Sequence, residues 1–207
     1  MTQQQSADTQ LPMAISACIL AGGQSLRMGQ DKGLMAYEHP IHHNTQLMAK
    51  HVAIAMNACA QTFINSNQNI PQYQAMGYEV VGDLEIEGIP ERSGPLLGLL
   101  TGLHHAEHDW VLFSPCDSPL IPEDYASRLA AALQNAEAKH NAYVVHDGKR
   151  RQNLHVLLNK CLEASLTEYL MSGQRKAHVW LDSINAQNVD FTDEVQGFKN
   201  LNSPKDL

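Results

Sequence analysis

The sequence predicts an α/β fold of three layers with a mainly parallel central sheet. Residues 14–20 and 110–114 are almost entirely apolar and partly β-branched, which is typical of strands buried on both faces of a parallel sheet. Segments of this kind alternate along the chain with segments whose apolar residues follow helical spacing. This alternation indicates helices packed on both faces of the sheet.

The strand predictions rest on short apolar runs that end at glycine, proline or polar residues. In chain order they cover residues 14–20, 62–66, 78–83, 110–114, 142–146, 154–158 and 188–191. The runs at 142–146 and 154–158 flank a tight turn at 147–149 and are candidates for a hairpin.

The helix predictions rest on amphipathic spacing. They cover residues 43–56, 94–106, 122–137, 160–171 and 175–181. Leu96, Leu100 and Leu103 share one face of the second of these helices, and Pro122 lies in the first turn of the third, where proline is favoured.

The chain has 207 residues, which suits one domain. We expect this domain to cover residues 12–207, after a glutamine-rich tail at residues 1–11 that we expect to be disordered. The tail has no basic start, and the apolar run behind it is too short to span a bilayer, so neither a signal peptide nor a membrane helix is predicted.

The formal net charge is -8, from 22 acidic and 14 basic residues. A surface of that sign repels polyanions, which argues against binding to nucleic acid or to an anionic membrane. A small anionic ligand stays possible where a few donors cluster. The cysteines Cys18, Cys59, Cys116 and Cys161 lack C-x-x-C spacing, which favours reduced thiols in a cytoplasmic protein.

In parallel sheets, ligands bind where the strands end at their carboxyl edge. The first strand ends in a loop with the sequence LAGGQSLRMGQDK, from Leu20 to Lys32. Its glycines let backbone N–H groups approach a phosphate, and Arg27 and Lys32 supply positive charge. The loop fits neither the dinucleotide pattern nor a P-loop, so an ordinary surface loop with two solvated charges is the alternative.

The strand at 110–114 is followed by Asp117, which lies between Pro115 and Pro119. The two prolines stiffen the backbone, so the carboxylate is a candidate Mg²⁺ ligand at a fixed point of the sheet edge. The alternative is a local turn in which Asp117 accepts hydrogen bonds from neighbouring backbone N–H groups.

Together with Gly94-Pro95-Leu96 in mid-chain and the closing segment from Phe198 to Leu207, these two loops resemble the molybdenum cofactor guanylyltransferases, a family of sugar-nucleotide-type nucleotidyltransferases. The resemblance extends from Ile19 almost to the C-terminus. It implies a Rossmann-like nucleotidyltransferase fold, and an Mg²⁺-dependent transfer of GMP from GTP to the phosphate of molybdenum-loaded molybdopterin.

The resemblance also implies roles for individual residues. The implied GTP contacts are Leu20, Ala21, Gly22, Gly23, Lys32, Asn65, Asp83 and Asp117. Arg27, Lys32 and Asp117 are the implied catalytic residues, and Asp117 the implied metal ligand. Asn200 and Asn202 fall in the closing motif, near the active site of this family. Molybdenum insertion proteins or molybdoenzyme chaperones are the implied transient partners.

The chain departs from the family pattern at Glu38-His39-Pro40 and at Gln152-Asn153, both toward the acceptor side. A related enzyme that uses CTP or another phosphate acceptor, and a nucleotide-binding adaptor without turnover, therefore stay open as alternatives. GTP is favoured over CTP because relatives that use CTP have L-A-A-G where this chain has L-A-G-G.

Three further groups carry weaker hypotheses. His104, His105 and His108 are interpreted as surface histidines rather than metal ligands, and Cys116 as a packing residue. The basic cluster from Lys149 to Arg151 is interpreted as a solvated turn, with a contact to the pterin phosphate as the alternative.

Overall fold

A computed structural model describes residues 11, 13–22, 31–40, 43–91, 93–135 and 139–201. Within these residues, seven strands form one sheet: β1 (Ser16–Leu20), β4 (Gln61–Asn65), β5 (Glu79–Val81), β6 (Trp110–Pro115), β7 (Ala142–His146), β8 (Arg151–Asn159) and β9 (Gln187–Asp190). Their order across the sheet is β5-β4-β1-β6-β8-β7-β9. Only β8 runs antiparallel to its neighbours among these seven, so the predicted mainly parallel sheet is confirmed.

The described helices are α1 (Met48–Ala55), α2 (Ile70–Gln74), α3 (Pro95–His105), α4 (Tyr125–Asn135), α5 (Glu163–Met171) and α6 (Ala177–Ser183). One core packs α1 and α4 against one face of the sheet, and a second packs α3, α5 and α6 against the other. In β1, Ala17 and Ile19 face the first core and Cys18 and Leu20 the second, as strand alternation requires. The predicted three layers are confirmed.

The predicted helix at 43–56 is wrong in its first part. Residues Thr45–Leu47 form strand β3, which pairs antiparallel with β2 (Ala36–Glu38), and α1 begins only at Met48. The buried His51 ring is bonded to the carbonyl of Tyr37, 3.0 Å away, and links the helix to this ribbon. Tertiary contacts therefore determine the secondary structure of this segment, because its polar residues give little periodic signal.

Other boundaries shift for local reasons. The helix predicted from 122 begins at Tyr125, and the helix predicted from 160 opens with a 3-10 turn capped by the Asn159 side chain. The predicted hairpin of β7 and β8 is confirmed, with β8 starting three residues earlier than expected, at Arg151. In the described part of the chain, no helix is long and apolar enough to cross a membrane.

Candidate nucleotide-binding site

A cleft of about 660 Å³ lies at the carboxyl edge of the sheet, over β1, β4 and β6. The residues that line it come from the ends of these strands, from the loops after them and after β5, from the start of α3, from β8 and from the closing segment. They are Leu20, Ala21, Gly22, Asp31, Lys32, Asn65, Asn67, Gln68, Asp83, Gly94, Pro95, Gly98, Pro115, Cys116, Asp117, Leu154 and Asn200.

Strand register brings the separate loops together. Leu20 lies opposite Asn65 on one side and Pro115 on the other. The pairing continues past the strands, because Ala21 N donates to Asn65 O at 2.8 Å and Cys116 N donates to Leu20 O at 3.0 Å. Residues that are far apart in sequence therefore leave the sheet at one level, as expected for parallel neighbours.

Two amides hold the carboxylate of Asp83. Asn65 Nδ2 donates to Asp83 Oδ1 at 2.9 Å, and Asn67 Nδ2 donates to Oδ2 at 2.8 Å. Asp83 N in turn donates to Asn67 Oδ1 at 2.7 Å. Each carboxylate oxygen has lone-pair capacity left, because an ionised carboxylate has about four acceptor positions. The site thus presents a fixed acceptor group to the cleft.

The first turn of α3 packs closely against Asn65, one of the two amides that hold Asp83. A Cβ atom on Gly98 would lie 2.7 Å from Asn65 Oδ1 and 3.0 Å from Leu20 Cδ2. The missing side chain is therefore what allows the helix to approach β1 and β4 at the cleft.

Lys32 and Asp117 form an ion pair across the cleft. Lys32 Nζ donates to Asp117 Oδ2 at 2.9 Å, and the two side chains are 19% and 15% exposed. Neighbouring Cys116 is buried, and this burial raises the pKa of its thiol, with the charge of Asp117 adding to the shift. The thiol is neutral at ordinary pH, which agrees with a packing role.

The closing segment is fastened to the same loop. Leu201 N donates to Asp117 O at 2.9 Å, and Ser118 Oγ donates to Asn200 Oδ1 at 2.9 Å. Asn200 therefore lines the cleft beside Asp117. Asn202 lies outside the described residues.

The model of a known family, described as the MobA-like NTP transferase domain, matches residues 17–189. The chain belongs to this family. Molybdenum cofactor guanylyltransferase of Vibrio cholerae serotype O1 is 38% identical, with 100% of this chain and 96% of that protein covered. The protein of the same name from Shewanella piezotolerans is 36% identical, with 94% of this chain and 91% of that protein covered. The resemblance seen in the motifs is confirmed.

The solved structure of molybdopterin-guanine dinucleotide biosynthesis protein A from Archaeoglobus fulgidus is similar to this chain in fold. The TM-score is 0.71 at 18% identity, and the match covers 92% of this chain and 94% of that one. The expected Rossmann-like nucleotidyltransferase fold is thus confirmed for this member of the MobA-like family.

Within the MobA-like site, the structure brings most of the sequence candidates together. Of the expected contacts, seven line the cleft: Leu20, Ala21, Gly22, Lys32, Asn65, Asp83 and Asp117. Gly23 and Arg27 lie outside the described residues. Asn67 and Asp31 also line the cleft, although the sequence did not predict them as site residues. Asn67 stands two residues after Asn65, just past the strand end, and this position was the available signal.

The remaining groups lie elsewhere in the described structure. His104 contacts Glu163, His105 contacts Glu79, and His108 contacts Ser16, so the three histidines face different partners. No cluster of three metal-ligating side chains occurs among the described residues. Of the basic cluster from Lys149 to Arg151, Arg151 is the first residue of β8. Its guanidinium donates to Asp182 and Asn188 at 2.5 Å each, which favours a structural role for this residue.

Proposed function

We propose that this chain transfers the GMP unit of GTP to the phosphate of molybdenum-loaded molybdopterin. A phosphate oxygen of the acceptor attacks the α-phosphorus of GTP in line, and the bond from that phosphorus to the bridging oxygen of the β-phosphate breaks. Pyrophosphate leaves, and the product is the guanine dinucleotide form of the cofactor. The observation that carries the proposal is the cleft, in which Gly22 just after β1, Lys32 and Asp117 meet.

Transfer of this kind depends on positioning and charge neutralisation rather than on covalent catalysis. The nucleophile is already an anion, so the proposal requires no general base. Lys32, and Arg27 from the same loop, would bind the triphosphate and stabilise the charge that develops on pyrophosphate. Ala21 and Gly22 would let the nucleotide approach the backbone closely.

Asp117 is the residue that would hold Mg²⁺. The chemistry fits, because Mg²⁺ is commonly bound by one or two carboxylates together with substrate phosphates and water. Asp117 also forms an ion pair with Lys32, with 2.9 Å between Nζ and Oδ2. In the proposed complex, the lysine side chain would turn to a phosphate of the nucleotide. The metal ion would supply charge neutralisation at the phosphate oxygens.

Asp83 supports guanine as the base. Guanine offers two donors, N1–H and the exocyclic amino group, on the edge that a carboxylate can bind. The corresponding edge of cytosine carries a single donor, its exocyclic amino group, beside the acceptors N3 and O2. A carboxylate that bridges two donors on guanine would be repelled by N3 of cytosine. With its oxygens fixed by Asn65 and Asn67, Asp83 is suited to a guanine ring in the cleft.

We also propose a cytoplasmic location and transient contacts with molybdenum insertion proteins or molybdoenzyme chaperones. All four cysteines are free thiols, which supports a reducing compartment. Co-purification with the tagged chain, followed by cross-linking, tests the contacts.

The acceptor is tested by omission. The protein is incubated with GTP and Mg²⁺, with molybdenum-loaded molybdopterin present, absent, or replaced by another phosphate monoester. We expect pyrophosphate only with the molybdopterin. Equal release with other monoesters would show a different acceptor, and no release in any mixture would favour an adaptor without turnover.

A further inference from the structure

Tyr73 is a buried side chain whose polar end contacts Asp31, a residue of the cleft lining. The residue lies on α2, has no exposed surface, and packs in the core that includes α1 and α4. Its hydroxyl donates to Asp31 Oδ1 at 2.6 Å. Burial raises the pKa of Tyr73 far above its ordinary value, and the hydrogen bond to Asp31 adds to the shift. The hydroxyl therefore stays a donor at any working pH.

Asp31, directly before Lys32, has both carboxylate oxygens engaged. Oδ1 accepts from Tyr73 and also from Gly33 N at 3.1 Å, and Oδ2 accepts from Asn69 Nδ2 at 2.9 Å. These three donors come from the residue's own turn and from the segment around α2. Asp31 thus connects its own turn to the segment around α2.

The turn that follows Asp31 is fixed from a second side. A Cβ atom on Gly33 would collide with the Tyr73 hydroxyl and lie 3.2 Å from Cys116 Sγ. The 3-10 turn Lys32–Leu34 therefore packs tightly between α2 and the loop after β6. From this turn, the Lys32 side chain reaches Asp117.

We infer that Tyr73 is a positioning residue for the transfer reaction: through Asp31, its hydroxyl fixes the turn that aims the Lys32 ammonium at Asp117 and the triphosphate. The inference rests on the proposed function, in which Lys32 stabilises the leaving pyrophosphate. Catalysis that depends on placed charges is sensitive to small displacements of those charges, even when the change lies outside the reacting groups.

The test compares two buried tyrosines. Tyr73→Phe removes the hydrogen bond to Asp31. Tyr125→Phe removes an equally buried hydroxyl, which donates to Phe113 O at a distance of 2.5 Å. Neither Tyr125 nor Phe113 is in the cleft lining. We expect Tyr73→Phe to lower kcat about tenfold with a change in KM for GTP under about threefold. Tyr125→Phe should leave kcat unchanged although its melting temperature falls.

A double-mutant cycle separates positioning from general loosening. If Tyr73 acts through Lys32, Tyr73→Phe has no further effect on kcat in the Lys32→Ala background. Asn69→Gly, which keeps the left-handed backbone of Asn69 (φ 52°) but removes the second donor to Asp31, should give a smaller loss of the same kind. An undiminished loss in the Lys32→Ala background, or an equal loss in Tyr125→Phe, overturns the inference.

A binding measurement keeps the inference testable if the transfer reaction itself is absent. Titration of each variant with magnesium pyrophosphate should show about fivefold weaker binding for Tyr73→Phe, and no further weakening when Lys32 is already alanine. Wild-type protein that binds pyrophosphate but makes no product contradicts the proposed function alone. Equal pyrophosphate affinity of wild type and Tyr73→Phe contradicts the inference alone.

Discussion

The charged residues of the cleft each have a partner that fixes them. Asp117 is paired with Lys32, Asp83 with two amides, and Asp31 with three donors. The sequence predicted Asp117 because it follows a strand and parallel strands end at one edge of the sheet, whereas Asp83 was implied by the family resemblance. It could not predict the bond between Asp31 and Tyr73, because this bond joins residues 42 positions apart through a helix that carries almost no periodic signal.

Replacing Asp117 by Asn is expected to lower kcat at least about 100-fold, because the amide lacks the charge that, in the proposed reaction, would bind Mg²⁺. The fold should remain, since Asp117 makes its backbone bond to Leu201 unchanged. Pyrophosphate release and thermal unfolding measure the two effects. Asp182→Asn, which removes an exposed carboxylate paired with Arg151, is the matched control and should keep full activity. Full activity in Asp117→Asn would show that the metal is held elsewhere.

Replacing Asn67 by Ala is expected to raise KM for GTP about tenfold with a smaller change in kcat. The substitution removes one of the two amides that orient Asp83, and hydrogen bonds to charged groups contribute roughly 1.5–3 kcal/mol. Asn188→Ala, at an amide that binds Arg151 away from the cleft lining, is the control. Unchanged KM in Asn67→Ala would argue against base binding at Asp83.

At the scale of elements, the buried strands were predictable and the small elements were not. Strands β1 and β6 are mostly apolar, so the sequence predicts burial on both of their faces. The β2–β3 ribbon and α2 are three to five residues long, too short for a reliable periodic pattern. A helix as short as α2 owes its stability to packing, here to the buried ring of Tyr73.

Helix α3 contains two glycines that offer a matched pair of substitutions. A Cβ on Gly98 would meet Asn65 Oδ1 and Leu20, whereas one on Gly102 would collide with the Phe113 ring in the core. We expect Gly98→Ala to weaken GTP binding about tenfold, because it displaces the amide that holds Asp83.

Gly102→Ala should instead lower the free energy of unfolding by roughly 1–3 kcal/mol, as overpacking of a core does, with GTP affinity kept. Calorimetric titration with GTP and urea unfolding of both variants measure the contrast. The same loss of affinity in both variants would mean that the effect is a general disturbance of α3.

At the scale of the molecule, the net charge of -8 extends into the cleft. Its described lining carries three carboxylates and one ammonium group, on Asp31, Asp83, Asp117 and Lys32. In the proposed reaction, binding of a triphosphate would therefore depend on Mg²⁺ and on Arg27 as well as on Lys32. The acidic composition still argues against polyanions, and it makes the placed cations the basis of the proposed chemistry.

The buried His155 links the fold to pH. Burial lowers its pKa from 6.5 to about 3. Its ring packs edge-on against Tyr125 and Phe198, and its Nε2 has no hydrogen-bond partner among the described residues. Between about pH 6.5 and 3 the unfolded chain binds a proton that the folded chain does not. Stability is therefore lost as the pH falls through this window, by up to about 1.4 kcal/mol per pH unit.

His155→Phe removes this proton linkage while keeping an aromatic ring. Between pH 7 and pH 5, the variant should lose about 2 kcal/mol less unfolding free energy than wild type. Urea unfolding at both pH values is the measurement, with the half-exposed His104→Gln as the control. An identical pH dependence in wild type and His155→Phe would exclude His155 as its source.

The most direct test of the proposed reaction is a competition between nucleotides. Wild-type protein is given equal concentrations of GTP and CTP with Mg²⁺ and molybdenum-loaded molybdopterin, and the dinucleotide products are quantified by mass spectrometry. We predict that the guanine dinucleotide exceeds the cytosine dinucleotide at least about 100-fold, because a site that binds two donors rejects a base that offers only one and has an acceptor in place of the other. A cytosine product in equal or greater amount, or no dinucleotide at all, would contradict guanylyl transfer by this cleft.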